Sequence, residues 1–366
     1  MLKVIISGGG TGGHIFPAIA IANALKEKYN RVEILFVGAE GKMEMEKVPA
    51  AGYKIVGLNI SGLQRKSILK NLSFPFKLFS SVRKSKTIIR EFKPNVVVGV
   101  GGFASGPLLY AATKMGIPAL IQEQNSYPGI TNKFLAKKAK RICVAYDGME
   151  KYFPKEKIIL TGNPVRQDIK NLAGKRERGM EFFGLEASKK TVLVIGGSLG
   201  ARSINEAIKS FLPEFEKNKV QLIWQTGTTF KAVADKAAAD YTNCTIRVHD
   251  FISKMDYAYA VADVVVSRAG ASSVSELCVV DKAAILIPYP FAAEDHQTSN
   301  AQALVTHHAA ILIKDADVSE NLPSTLFDLL ANDDKRKKLE ENILKLAFRD
   351  AAEVIASEVA SIANSN

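Results

Sequence analysis

Cysteine is scarce in this chain of 366 residues: Cys143, Cys244 and Cys278 lie far apart, and none belongs to a Cys-x-x-Cys pair. That spacing excludes a disulfide framework, supplies no zinc-ligand pattern and suits a reducing cytoplasm with buried thiols. Long apolar runs are missing too. The uncharged stretch 4–25 is broken by five glycines and Pro17, and 94–113 by Gly99, Gly101, Gly102, Gly106 and Pro107. Neither reads as a spanning helix, and Val4-Ile5-Ile6 after Lys3 is too short for a signal-peptide core, so a soluble or peripheral protein is expected. Low-complexity segments and Ser/Gly linkers are absent. Histidine is rare as well, with His14 alone among the first 248 residues.

Acidic residues are few only in the first half. Residues 1–165 hold 25 Lys/Arg against 10 Asp/Glu, whereas residues 166–366 hold 24 against 27, so the whole excess behind the net charge of +12 lies early in the chain. Within it, residues 62–93 interleave nine basic side chains with Ile68, Leu69, Leu72, Phe74, Phe76, Leu78 and Phe79, and only Glu91 is acidic. Such a segment suits an anionic membrane surface, where each cation contributes roughly 1 kcal/mol and inserted aromatics add apolar burial. The plainer alternative is a helix whose Phe side chains fill a core. No nucleic-acid motif accompanies the charge, and no nucleic-acid partner is expected.

What the chain has in abundance is glycine at the ends of apolar runs. Val4-Ile5-Ile6 leads into Gly8-Gly9-Gly10-Thr11-Gly12-Gly13-His14 and then a helical pattern; Val192 to Ile195 leads into Gly196-Gly197-Ser198-Leu199-Gly200-Ala201 and another. A third transition runs from Val96 to Pro107. Glycine lets the backbone N–H groups of such a loop approach a ligand, and the following helix offers its positive end to a phosphate. Strand-like runs alternate with helical patterns throughout, and at this length with 47% apolar residues two cores are expected. The turn-rich Thr161-Gly162-Asn163-Pro164-Val165 places the boundary near 164. A long terminal helix, or two in succession, is expected from Asp334 to about Ile362, interrupted at Arg349-Asp350.

Several residues could carry chemistry. Gly8, Gly10 and Gly13 match Gly-x-Gly-x-x-Gly, with Glu40 as a ribose ligand, which keeps an NAD-dependent dehydrogenase in play, though so glycine-rich a run satisfies many patterns. His14 is either a helix-start residue or a functional group. In Ser267 to Glu276, the carboxylate of Glu276 could accept from ribose hydroxyls, or Ser272 or Ser273 could cap a helix with Glu276 completing a capping box. His296, Gln297 and Asn300 fall within about one helical turn and could bond sugar hydroxyls. Asp315-x-Asp317 has metal-diphosphate spacing but no neighbouring ligand, and no metal site is expected.

Together, SGGGTGGH (7–14), VGVGGFASGP (98–107), IQEQN (121–125), TGNPVR (161–166), GGSLGARSIN (196–205), SRAGASSVSE (267–276) and EDHQTSNA (294–301) closely resemble the MurG family of bacterial peptidoglycan N-acetylglucosaminyltransferases, in register over essentially the whole chain. The resemblance implies an α/β GT-B fold, two Rossmann-like domains whose parallel sheets face a central cleft. Residues 1–164 would form the acceptor- and membrane-binding domain, 165–344 the UDP-GlcNAc-binding domain, and a C-terminal helix at about 345–366 would pack back on the first. It implies inverting transfer of GlcNAc from UDP-GlcNAc to the MurNAc 4-hydroxyl of lipid I, giving lipid II, without metal or organic cofactor, on the cytoplasmic face of the plasma membrane and beside other cell-wall enzymes. By matching position, Ser198 and Arg166 would hold the diphosphate, and Ile252, Ala271, Ser272, Ser273 and Glu276 the uridine and ribose. His296 and Gln297 would reach the GlcNAc, with Thr11, Gly12, Gly13 and Asn125 completing the sugar side. His14 would be the general base, with Glu123 a rival in the same neighbourhood. Phe103 stands where many relatives have tyrosine, so no hydroxyl role is assigned there. Another GT-B enzyme on a UDP-sugar, including a UDP-GlcNAc epimerase, would share much of this pattern; an inert sugar-nucleotide-binding scaffold would bind without turnover.

Overall fold

The computed structural model describes residues 1–62, 73–197 and 199–364. Two compact units emerge, Met1–Val165 with Arg349–Asn366, and Arg166–Phe348. The first carries seven strands, β1 (Leu2–Gly8), β2 (Val32–Ala39), β3 (Lys54–Leu58), β4 (Val96–Gly101), β5 (Ala119–Glu123), β6 (Arg141–Val144) and β7 (Ile158–Leu160). Its helices are α1 (Gly12–Lys28), α2 (Glu44–Ala50), α3 (Phe74–Phe92), α4 (Ser105–Lys114) and α5 (Ile130–Ala136). The strands pair in parallel in the order β3-β2-β1-β4-β5-β6-β7. Helices cover both faces, so the middle of β1 is apolar on both sides: Val4 and Ile6 join one core with Ile15, Ile21 and Leu25 of α1, while Ile5 joins the opposite one with Ile89 and Leu108.

The second unit repeats the plan with β8 (Thr191–Ile195), β9 (Gln221–Gln225), β10 (Ile246–His249), β11 (Val264–Ser267), β12 (Ala284–Leu286) and β13 (Ile311–Leu312), in the parallel order β10-β9-β8-β11-β12-β13. Around them lie α6 (Lys175–Phe183), α7 (Arg202–Ser210), α8 (Leu212–Lys217), α9 (Lys231–Ala238), α10 (Met255–Val261), α11 (Ala271–Val279), α12 (His296–Thr306), α13 (Val318–Ala331) and α14 (Asp333–Leu344). The C-terminal periodicity resolves into two helices. Leu344 ends α14, and α15 (Ala351–Asn364) packs on α1 of the first unit, burying Ile355, Val359 and Ile362.

In both sheets the strand order reverses beside the first strand of the unit, between β1 and β4 and between β8 and β11. Ligands of doubly wound sheets bind outside the strand C-terminal ends at such a switch point. The glycine-rich loops leave the sheets there. Helix α3 ends where Lys93 turns left-handed (φ 54°) ahead of Pro94, with its N–H on the Ile89 carbonyl. The core takes Phe74, Ile88 and Ile89 from this helix, whereas Phe76 and Phe79 are 79% and 73% exposed. The reading of these Phe side chains as core therefore holds for Phe74 and fails for the other two. Residues 63–72 of the basic segment lie outside the described residues.

Candidate active site

In the first unit β1 delivers the chain to Gly8, and α1 opens at Gly12. Between them the loop is tied down from within. The Gly9 N–H donates to the Gly101 carbonyl (3.3 Å), and the Gly10 N–H to Glu44 Oε2 (2.8 Å). Gly12 and Gly13 occupy the first turn of α1, where backbone N–H groups have no intrahelical acceptor. His14 is half-buried in that same first turn. Its Nδ1 lies 3.0 Å from the Gly9 carbonyl oxygen, which can only accept; Nδ1 therefore carries the proton and Nε2 the lone pair of the neutral ring. The ring lies against Gly101 (φ 108°), where an added Cβ would come within 2.6 Å of Cδ2 and 2.8 Å of Nε2. Only glycine leaves room for the imidazole here.

Glu123, at the end of β5, is almost fully buried and saturated. Oε1 accepts from the Asn125 backbone N–H (3.0 Å) and Asn125 Nδ2 (3.3 Å), and Oε2 from the Gly129 N–H (3.2 Å) and Asn132 Nδ2 (2.7 Å). Burial pushes its carboxyl above the ordinary range while these four donors pull it back. The arrangement fastens Asn125 and the start of α5. Beside it, Gln122 Nε2 donates to Asn163 Oδ1 (2.8 Å) and Asn163 Nδ2 to the Gln124 carbonyl (2.9 Å), so the Thr161–Asn163 turn is anchored to β5.

In the second unit Glu276 points from α11 to Tyr259, whose hydroxyl donates to Oε2 at 2.9 Å. Enclosure by protein raises the Glu276 carboxyl to about 7; the Tyr259 bond and the nearby Arg166 charge oppose that rise. Helix α11 begins at Ala271 after Gly270 with no side-chain cap, so Ser272 and Ser273 lie within its first turn and the capping-box alternative does not form. The Ser272 hydroxyl is buried without a partner among the described residues. Arg166 forks onto Asp168 (Nε–Oδ1 3.0 Å) and reaches the Ser253 carbonyl. Buried Ile252 donates its N–H to Gln225 Oε1 (2.9 Å), and Gln225 Nε2 donates to the Gly197 carbonyl (3.0 Å). Gln297 Oε1 accepts from the Tyr289 N–H, Asn300 Nδ2 donates to the Ala269 carbonyl, and His296 opens α12. Ser198 lies outside the described residues.

Residues 4–144 match the glycosyltransferase family 28 N-terminal domain, and residues 191–355 match the glycosyltransferase family 28 C-terminal domain. The chain belongs to glycosyltransferase family 28. Among relatives of this family 28 chain, a protein of Parabacteroides distasonis is 54% identical over 360 residues, covering 98% of each sequence, and one of Christiangramia forsetii is 53% identical over 363 residues, covering 99% of this chain and 98% of the relative. Both are named UDP-N-acetylglucosamine:N-acetylmuramyl-(pentapeptide) pyrophosphoryl-undecaprenol N-acetylglucosamine transferase. The crystal structure of Acinetobacter baumannii MurG superposes with a TM-score of 0.80 at 28% identity, covering 99% of this chain and all of that one. The UDP-GlcNAc 2-epimerase of Neisseria meningitidis shares the fold (TM-score 0.68) at 13% identity.

Membership of family 28 redirects two motifs. Glu40, the ribose ligand of the dehydrogenase reading, pairs instead with Lys84 at 3.0 Å. Asp315 of the Asp-x-Asp pair is engaged by Arg268 and Ser203, and Arg268 also donates to the Ile287 and Pro288 carbonyls, tying the ends of β11 and β12 to α7. Tyr259, Gln225 and Glu44 escaped the sequence reading altogether. Each lies outside the glycine-rich motifs, and the contact that ties it to the site spans a long stretch of chain: Glu44 to Gly10, Tyr259 to Glu276, Gln225 to Ile252.

Proposed function

We infer that this chain transfers GlcNAc from UDP-GlcNAc to the MurNAc 4-hydroxyl of lipid I with inversion, forming lipid II. The observation that carries this is near-full-length identity of 52–55% to transferases of that name, joined to both family 28 domains. Inversion is a single in-line displacement. The 4-hydroxyl oxygen attacks the anomeric carbon, the bond to the UDP β-phosphate oxygen breaks with its electron pair, and the hydroxyl proton passes to a base.

His14 is the proposed base, supported by the Nδ1–Gly9 bond, which puts the lone pair of the neutral ring on Nε2, the nitrogen that would take the proton. The saturation of Glu123 favours a positioning role for it, holding Asn125 toward the sugar. On the donor side the proposal places ribose on Glu276, with Tyr259 holding the second carboxylate oxygen, and uridine against Ile252 and the segment Ala271, Ser272 and Ser273. Arg166 and the loop bearing Ser198 would meet the leaving diphosphate, where a fixed cation and a helix N-terminus stabilise developing charge. His296, Gln297 and Asn300 would serve the GlcNAc together with Thr11, Gly12 and Gly13. The reading of Gln297 and Asn300 requires their present backbone partners to be shared or exchanged on binding.

We further propose that α3 seats the first unit on the cytoplasmic face of an anionic membrane, where lipid I resides. Exposed Phe76 and Phe79 stand among Lys77, Arg83 and Lys86. The test of the function is release of UDP and formation of the disaccharide from UDP-GlcNAc and a short-chain lipid I analogue. Stabilisation by UDP-GlcNAc without turnover would point to an inert binding protein instead.

A further inference from the structure

Glu44 is a carboxylate with no accessible surface and, among the described residues, no ion-pair partner. Burying such a group is costly unless its oxygens are met by hydrogen-bond donors. Two backbone groups meet it. Oε2 accepts from Gly10 at 2.8 Å and Oε1 from Ala39 at 2.9 Å, so the side chain of α2 joins the glycine-rich loop after β1 to the end of β2. Its seat is built from two other elements. A Cβ on Gly9 would overlap the carboxylate, and a Cβ on Gly38 would lie 2.6 Å from Cγ.

The Gly10 N–H and the Gly9 carbonyl belong to one peptide unit. Glu44 holds the N–H end of that unit, and His14 Nδ1–H holds the carbonyl end. We propose that Glu44 is the positioning residue of His14, acting through the Gly9–Gly10 peptide as an acid–peptide–imidazole relay. A carboxylate pulling on the amide proton polarises the peptide and makes its carbonyl oxygen a stronger acceptor, since hydrogen bonds in series reinforce one another. The stronger acceptor fixes the Nδ1–H tautomer and stabilises the imidazolium formed when Nε2 takes the sugar proton. A carboxylate bonded directly to histidine does the same in hydrolase triads. Here one peptide plane stands between the two groups, and because it is backbone, truncating a side chain in the loop does not remove it.

The inference rests on the reading of His14 as base, and the test separates the two. The full-length protein labelled with 15N-histidine has five histidines, and the signals lost in His14→Gln assign His14. Two-bond proton–nitrogen spectra then report its tautomer and titration without any turnover. In the unsubstituted protein His14 is expected as the Nδ1–H tautomer. In Glu44→Gln the Nε2–H form should rise and protonation should require lower pH, with kcat falling about tenfold or more while KM for UDP-GlcNAc stays within about twofold. A folded Glu44→Gln protein with unchanged His14 spectra and kcat overturns the relay. If that variant does not fold, the unsubstituted protein still decides: the Gly10 amide shift should follow the titration of His14, and an amide indifferent to it contradicts the proposal. Retention of kcat by His14→Gln removes the base assignment while leaving the spectroscopic coupling to stand or fall separately.

Discussion

His14 and Glu123 illustrate how alike two side chains can look in sequence and how differently they are held. His14 has one ring nitrogen fixed on a carbonyl and its motion limited by Gly101, whereas four N–H donors converge on the Glu123 carboxylate. Alanine at each should separate them. His14→Ala is expected to lower kcat by about two to four orders of magnitude with little change in melting temperature. Glu123→Ala strands the Asn132 and Gly129 donors and should lower stability by about 2–4 kcal/mol, read as an earlier thermal transition. Glu276 adds a pH dependence. Its carboxyl is raised to about 7, so it ionises only as pH climbs through neutrality, and charge-assisted bonds to ribose hydroxyls form in the ionised state. Calorimetry should show UDP-GlcNAc binding weaken as pH falls through 7, and Glu276→Gln should abolish that slope. The linked stability has the opposite sign: a raised folded-state pKa favours the fold below the ordinary carboxylate range and loses that contribution as pH rises toward 7.

Among the elements, the strands buried on both faces were legible, whereas two of the four edge strands, β3 and β10, were not. Runs such as Val96 to Val100 announce central strands, but β3 and β10 carry Lys54, Gly57, Arg247 and His249 among their apolar residues and sit at sheet edges, partly exposed, where no continuous apolar run is needed. Helix α3 shows a different limit. Its composition permits either core or membrane, and only the fold shows which Phe side chains stay outside. Replacing Phe76 and Phe79 by serine should sharply reduce retention on vesicles rich in anionic lipid while leaving turnover of a soluble acceptor analogue near normal; unchanged retention at low salt would remove α3 from the membrane contact. Helix α15 makes a stability prediction. Ile355, Val359 and Ile362 each contribute roughly 1.5–3 kcal/mol by burial, so a chain ending at residue 348 should lose the thermal transition of the first unit.

At the scale of the whole molecule, the doubled grammar of strand, glycine loop and helix was readable because each loop must leave a sheet where the strand order reverses, and both sheets have that order. Seven short motifs in sequence order carried the family. What could not be read is the set of residues that hold those motifs in place. Glu44, Tyr259 and Gln225 are joined to the site only by three-dimensional proximity, with nothing in local pattern or spacing to mark them, whereas Arg268 and Asp315 lie in motifs the sequence displays but meet each other only in the fold. Labelled GlcNAc followed from UDP-GlcNAc into a short-chain lipid I analogue with the purified protein tests the reaction most directly. Stoichiometric UDP release and a β-linked disaccharide product are expected; intact donor and acceptor after prolonged incubation with folded protein would rule out the transfer.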